Sequence, residues 1–250
     1  SLTDVATSQT SSKIASDGSF IMTNLKPGIY NVAVEAQGFK QSVREGVRLT
    51  TGERVRVDVV LDPGAVTELV TVVQDASLLR TESGELGQVI SNKKIVDIPL
   101  NGRNFLSLVT LSAGVAQPPP TTAGPSFPRI NGGRPRTNEY LFDGVSVLQP
   151  EPGQVAFFPI VEAIQEFKVE VNSPSAEFGR FNGGVVNLTT KSGTNDFHGS
   201  AFEFLRNEAL NARNLFAPAT AANPKKPVFR RNQFGSVVGG PVIKDKTFFF

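Results

Sequence analysis

The stretch that most constrains this chain runs from Ile160 to Gly199. From Gln165 to Val171 the side chains alternate. Phe167, Val169 and Val171 fall on one face, and Glu166, Lys168 and Glu170 on the other. A period of two specifies a half-buried strand, with the charged face expected in solvent. Pro174, Gly179, Gly183 and Gly184 then interrupt any regular element. Val185 to Thr190 resumes as a β-branched strand, and Lys191 to Asn195 carries turn chemistry. A chain organised around such a segment folds mainly through strands and tight turns. Its 23 Gly and 17 Pro leave little room for long helices, and no run approaches the ~20 apolar residues of a membrane helix. Any membrane passage therefore falls to strands.

Residues 1–63 predict a small β-sandwich of short strands at regular spacing. Asp17-Gly18 marks a turn and Phe20 to Thr23 a short strand. Tyr30, Val32, Val34 and Ala36 alternate with Asn31, Ala33 and Glu35 in a second strand. Val55, Val57, Val59 and Leu61 alternate with Arg56 and Asp58 in another, before Asp62-Pro63-Gly64 closes the unit. Residues 64–80 read as a linker. Within it, Glu68, Leu69, Val70, Thr71, Val72 and Val73 form a short extended segment of the kind that a partner captures by β-strand addition.

Residues 81–193 read as an α+β unit. Ser91 opens a helix that must stop at Pro99, and Asn104 caps a second helix in which Phe105, Leu108, Val109 and Leu111 recur at helical spacing. Ala116 to Phe127 is Pro-rich and irregular. Tyr140 and Phe142 oppose Leu141 and Asp143 in a strand that turns at Asp143-Gly144. Residues 194–250 change character. Phe202 and Phe204 alternate with Ala201, Glu203 and Leu205, and Phe234, Ser236 and Val238 alternate with Gly235 and Val237. A polar turn at Lys244 to Lys246 precedes Thr247 to Phe250. Alternating aromatic strands of this kind suit a transmembrane barrel. Asn207 to Gln233, with Lys225, Lys226, Arg230 and Arg231, is expected to be the loop between the first two strands.

Several of these residues resemble a known family. Val161-Glu162 with Ile164, Phe178-Gly179, Gly183 to Asn187 and Thr190 to Gly193 resemble the end of the plug domain in TonB-dependent outer-membrane receptors. Ile130 to Arg134 and Asn138 to Val145 are similar to the central plug hairpin. Ile98 to Phe105, Glu177 to Arg180, Gly193 to Asn195 and Phe197 to Gly199 look like the Oar-like branch. Asp17 to Phe20, Leu25, Pro27 to Tyr30, Ala36 and Gly38-Phe39 resemble the carboxypeptidase regulatory-like domain, a transthyretin-like sandwich related to carbohydrate-binding folds. That domain's usual first strand is missing and three strands cannot close a barrel, so the chain is expected to be an N-terminal fragment of the receptor. The fold implied is mainly β: the sandwich, an α+β plug and the start of an outer-membrane barrel.

The resemblance also implies a function. A TonB-type energy-transducing protein would capture Glu68 to Val73, and the plug would occlude a lipid-embedded barrel. Force at the box would rearrange the plug and admit a ligand, whether oligosaccharide, peptide or chelate. The sandwich and plug would face the periplasm. Two other readings stay open at this stage: surface adhesion or protein export without solute uptake, and a soluble carbohydrate-binding module.

Reactive chemistry is sparse. With no Cys, disulfides and thiolate metal sites are excluded. A net charge of +2 points to neither nucleic acid nor an anionic surface, and the cations around Lys225 lack interleaved stacking aromatics. His198 is the one histidine, and no nucleophile elbow, phosphate loop or metal-ligand spacing occurs, so no catalytic residue, cofactor or metal is expected. Arg103, Arg134, Arg136 and Arg180 each sit beside a Gly, Asn or Pro turn signal. They are expected to face a polar barrel lumen, with Glu203 on the first barrel strand as a candidate partner.

Overall fold

The computed structural model describes residues 1–15, 17–64, 69–73, 86–98, 100–117, 127–149, 153–172, 174–179, 181–216, 219–220 and 225–250. Strands dominate, and among the described residues no helix is long and apolar enough to cross a membrane.

The N-terminal unit is a five-stranded sheet. Its strands are β1 (Leu2–Asp4), β2 (Thr10–Ser11), β3 (Gly28–Val34), β4 (Gln41–Leu49) and β5 (Leu69–Val73), in the order β2-β1-β3-β4-β5. Leu2, Tyr30, Val32 and Val47 make its small core, and Met22, Leu25, Val55 and Val57 pack against it. Two expected strands differ here. Phe20 to Thr23 and Val55 to Leu61 run without a strand ladder, although burial along 53–62 still alternates residue by residue. Alternate burial requires only a surface to lie on, whereas a ladder requires a neighbouring backbone at hydrogen-bonding distance. The second layer of the sandwich is thus extended chain, tied by Lys40 N donating to Asp62 O at 2.9 Å and Gly64 N to Gly38 O at 3.1 Å.

The central unit begins with β6 (Leu86–Ser91) and α1 (Asn92–Asp97), followed by α2 (Leu106–Val109), β7 (Val115–Ala116) and β8 (Arg129–Ile130). It continues through β9 (Glu139–Phe142), β10 (Val145–Ser146), β11 (Ile164–Asn172) and β12 (Val185–Thr190). The sheet order is β10-β9-β12-β11-β6, parallel only between β12 and β9, while β7 and β8 form a separate ribbon. Ser91 gives α1 no side-chain cap; Asn92 Nδ2 instead donates to Ile164 O at 2.7 Å. Pro99 lies outside the described residues. Asn104 Oδ1 accepts from Leu106 N at 3.0 Å at the start of α2. That helix is shorter than its apolar spacing predicts, so Leu111 falls past its end and is exposed.

The core of this unit gathers Ile90, Ile95, Phe105, Ile164, Phe167 and Leu188, with Phe105 packed edge-on against Phe142 and Phe167 at 6.0 Å. β9 is buried along its whole length, not on one face only. The Gly183-Gly184 pair has a steric reason. A Cβ at Gly183 would lie 2.1 Å from Asn138 Oδ1, and one at Gly184 would lie 2.5 Å from Glu170 O. Asn138 needs that approach, because its Oδ1 accepts from Gly184 N at 3.2 Å while its Nδ2 donates to Pro128 O at 2.8 Å. At the β9–β10 turn, Asp143 and Gly144 take φ values of 49° and 83°, and the Asp143 carboxylate accepts from Thr190 N and Oγ1 at 2.9 and 2.7 Å.

The charged face of β11 differs from expectation. Glu166, Lys168 and Glu170 are buried, Glu170 to 1% exposure, because the turn after β4 lies over them. Alternation correctly separated the faces, but the covering element comes from another unit.

β13 (His198–Asn207), β14 (Arg230–Ile243) and β15 (Thr247–Phe249) form an antiparallel sheet. β13 and β14 pair without interruption from His198↔Gly239 to Asn207↔Arg230. Arg230 to Gln233 therefore belong to strand, not to the loop expected there. Rings cover three glycines of β14. A Cβ at Gly235 would meet Phe202 at 2.8 Å, one at Gly239 would meet Phe250 at 2.7 Å, and one at Gly240 would meet Phe197 at 2.4 Å. A glycine on a strand leaves its backbone open, and a neighbouring ring laid across it closes that gap.

Candidate functional site

Two places bring together residues with the chemistry of partner binding and of joining one unit to another. The first is β5. Residues 69–73 are an edge strand, parallel to β4 in the register Gln41↔Leu69, Val43↔Thr71 and Glu45↔Val73. One backbone edge is occupied by β4. Among the described residues no strand pairs with the other edge, which leaves main-chain donors and acceptors for an incoming strand. Thr71 is exposed. Glu68 lies outside the described residues.

The second place is Arg103. It occupies the turn Asn101–Arg103 with φ of 56°, a left-handed conformation that is rare outside glycine. Its side chain is largely buried, and its guanidinium pairs with Glu162, the two side chains being 9% and 6% exposed. The Arg103 guanidinium carbon also lies 4.2 Å from the centre of the Phe204 ring and 5.6 Å from that of Phe202. Glu162 is held in the short turn Val161–Ala163, and Lys191 N donates to Ala163 O at 2.7 Å beside it. Burial pushes the Lys191 ammonium below its ordinary pKa, against the opposing pull of Glu162. The Arg103 guanidinium is thus paired with Glu162 on one side and capped by the two rings on the other.

The other expected arginines do not converge on this place. Arg134 and Arg136 are exposed, and Arg136 lies 5.8 Å over the Phe127 ring. Arg180 lies outside the described residues. Glu203 is exposed, sits opposite Phe234 in the β13–β14 register, and is one residue out of phase with Phe202 and Phe204. In a strand that phase places it on the face away from Arg103, so Glu162 and not Glu203 is the carboxylate that Arg103 meets. Sequence reasoning missed Glu162. Its signal was an acidic residue among Val161, Ala163 and Ile164, where a buried carboxylate needs a cation. His198 is exposed at the start of β13, and among the described residues no group of His, Cys, Asp and Glu is placed to hold a metal ion.

Known proteins match this architecture. The carboxypeptidase regulatory-like domain family matches residues 1–62, and the outer membrane beta barrel domain family matches residues 189–250. The TonB-dependent transporter Oar of Myxococcus xanthus is 30% identical over 243 residues, which is 93% of this chain. This chain is a homologue of that transporter. The chain spans 22% of the length of that relative. Among solved structures, the siderophore receptor PirA from Acinetobacter baumannii has a TM-score of 0.47 at 24% identity, covering 64% of this chain and 22% of that one. The outer membrane transporter YddB from Escherichia coli has a TM-score of 0.42 at 19% identity, covering 49% and 19%. The N-terminal unit thus carries the carboxypeptidase regulatory-like match and β13 to β15 lie within the outer membrane beta barrel match, which together with the similarity to the transporter indicates an outer-membrane location.

Proposed function

We propose that this Oar-like chain carries the gate and the energy-coupling strand of a receptor that imports a ligand across the outer membrane. The central unit, residues 81–193, acts as the plug between the sandwich of residues 1–63 and the barrel strands of residues 194–250. Residues 68–73 are the segment seized by a TonB-type protein. The observation that carries this reading is β5, a valine-rich strand at the open edge of a sheet. The chain leads from β5 through residues 74–85 directly into β6, the edge strand of the central sheet. Tension applied at β5 therefore enters the plug at an edge, where one ladder rather than two resists it. Arg103 is the proposed plug–barrel latch, and Arg134, Arg136 and Arg180 are proposed to face the lumen. The imported ligand is an oligosaccharide, peptide or chelate. The protein acts by transport and not by catalysis.

The test is recruitment of the purified periplasmic domain of the cognate TonB-type protein to the receptor in outer-membrane vesicles. Deleting residues 68–73 should abolish recruitment. Val72→Pro should reduce it sharply, since proline removes a strand donor and fixes φ. Unchanged recruitment by the deletion would end the reading of β5 as the coupling strand.

A further inference from the structure

The charged face of β11 presents a contradiction. Glu166, Lys168 and Glu170 alternate on one side of a strand as solvated residues do, yet all three are buried. What covers them is a single turn of the N-terminal unit. Thr51 N and Thr51 Oγ1 both donate to Glu166 Oε1, at 2.5 and 2.8 Å, and Thr51 Oγ1 lies 2.9 Å from Thr189 Oγ1 on β12. Lys168 Nζ donates to Gly52 O at 3.1 Å and pairs with Glu170 at 2.9 Å. Gly52 has φ of 63°, and a Cβ there would press on Asn187 Nδ2 and the Lys168 stem at 3.4 and 3.6 Å. The same unit also touches the barrel-strand segment. Asn195 N donates to Ala6 O at 3.1 Å, and Gln9 Nε2 to Lys246 O at 3.3 Å.

All of these contacts are polar. Among the described residues, the apolar cores of the N-terminal and central units share no member. Parting the units exposes carboxylates, an ammonium, hydroxyls and main-chain carbonyls, each of which water solvates well, and opens neither core. The same seam is connected to β5. β4 pairs with β5 through residues 41–45, and its other end, Leu49, leads into the Thr51 turn. A load on β5 thus reaches β11 along β4 as well as along the chain into β6.

We propose that the Thr51–Gly52 turn is a releasable cap, and that a pull on β5 lifts the N-terminal unit off the charged face of β11 and hydrates it. The uncapping step rests on the reading of β5 as the coupling strand, whereas the cap itself does not.

The test places Thr51→Cys and Thr189→Cys in the full receptor on a cysteine-free background and follows disulfide formation under a mild oxidant in whole cells. Cells de-energised with a protonophore should cross-link fast, and energised cells roughly tenfold more slowly, as expected if the docked state becomes the minor population. Adding Glu166→Ala should slow cross-linking in de-energised cells, where no pull acts. Absence of the cross-link in de-energised cells, or indifference to Glu166→Ala, overturns the cap. Equal rates with and without energy, in a receptor whose 68–73 deletion still loses the TonB-type protein, overturn its release and leave the coupling strand standing. If that deletion loses nothing, the coupling reading fails instead, and the cross-link in de-energised cells together with the Glu166→Ala arm still decides the cap.

Discussion

The central unit meets its neighbours along two seams of different chemistry. Toward the N-terminal unit, main-chain groups and a hydroxyl of one turn lie on Glu166 and Lys168. Toward the barrel strands, two aromatic rings lie on Arg103. At the first seam, separation breaks hydrogen bonds between the partners. At the second, the ion pair is internal to the central unit, so Arg103 keeps Glu162 when the rings withdraw, and only ring burial and the cation–ring attraction are lost. The comparison teaches that a buried charge can be committed to its own unit or shared with the neighbour, and that burial alone does not tell which.

Four substitutions break or sharpen that contrast. Glu162→Leu leaves a buried guanidinium without its carboxylate and should cost about 3–5 kcal/mol in denaturant unfolding of the central unit. A loss below about 1 kcal/mol would mean that the rings, and not Glu162, hold Arg103, and the contrast would collapse. Glu166→Ala removes the acceptor of both Thr51 donors and should cost about 1–3 kcal/mol at the N-terminal seam. Amide exchange should read this as lost protection at Thr51, with no change at Arg103. Coupled changes at both places would show one seam where two are described.

Phe204→Leu keeps an apolar cover but removes the ring face, with an expected loss of about 0.5–1 kcal/mol. A double-mutant cycle with Arg103→Gln should recover that amount as coupling, and zero coupling would make the ring a bystander. Arg54→Ala should change stability by less than about 0.5 kcal/mol. Its pair with Glu177 spans 3.6 Å with both side chains more than half exposed. A larger effect would place the strength of the N-terminal seam in surface charge and not in the buried Thr51 bonds.

Much of this was legible in the sequence, for reasons specific to the residues. β11, β12, the Asp143-Gly144 turn and β13 follow from local alternation and turn chemistry, which neighbours along the chain suffice to set. What escaped depends on distant residues. Thr51 covers Glu166 from 115 positions away, and nothing around Gln165 to Val171 announces it. β5 looked like linker because its ladder partner is β4, on the far side of the 53–62 segment. The Val55 to Leu61 alternation holds as burial, but alternating burial does not by itself imply a ladder. For Arg103, proximity to Gly102 suggests exposure, whereas the distant carboxylate of Glu162 and the rings of Phe202 and Phe204 hold the side chain buried.

The ring-covered glycines of β14 constrain how relatives of this chain can diverge. Gly235 and Phe202, Gly239 and Phe250, and Gly240 and Phe197 each share one volume between two sequence positions. Growth at the glycine collides with the ring, and shrinkage of the ring bares the glycine backbone. Single substitutions at either partner are therefore dead ends, and drift must proceed through paired exchanges. An inventory of tolerated variants would show these three pairs moving in lockstep, with the outward-facing neighbours Phe234, Ser236 and Val238 free to change alone.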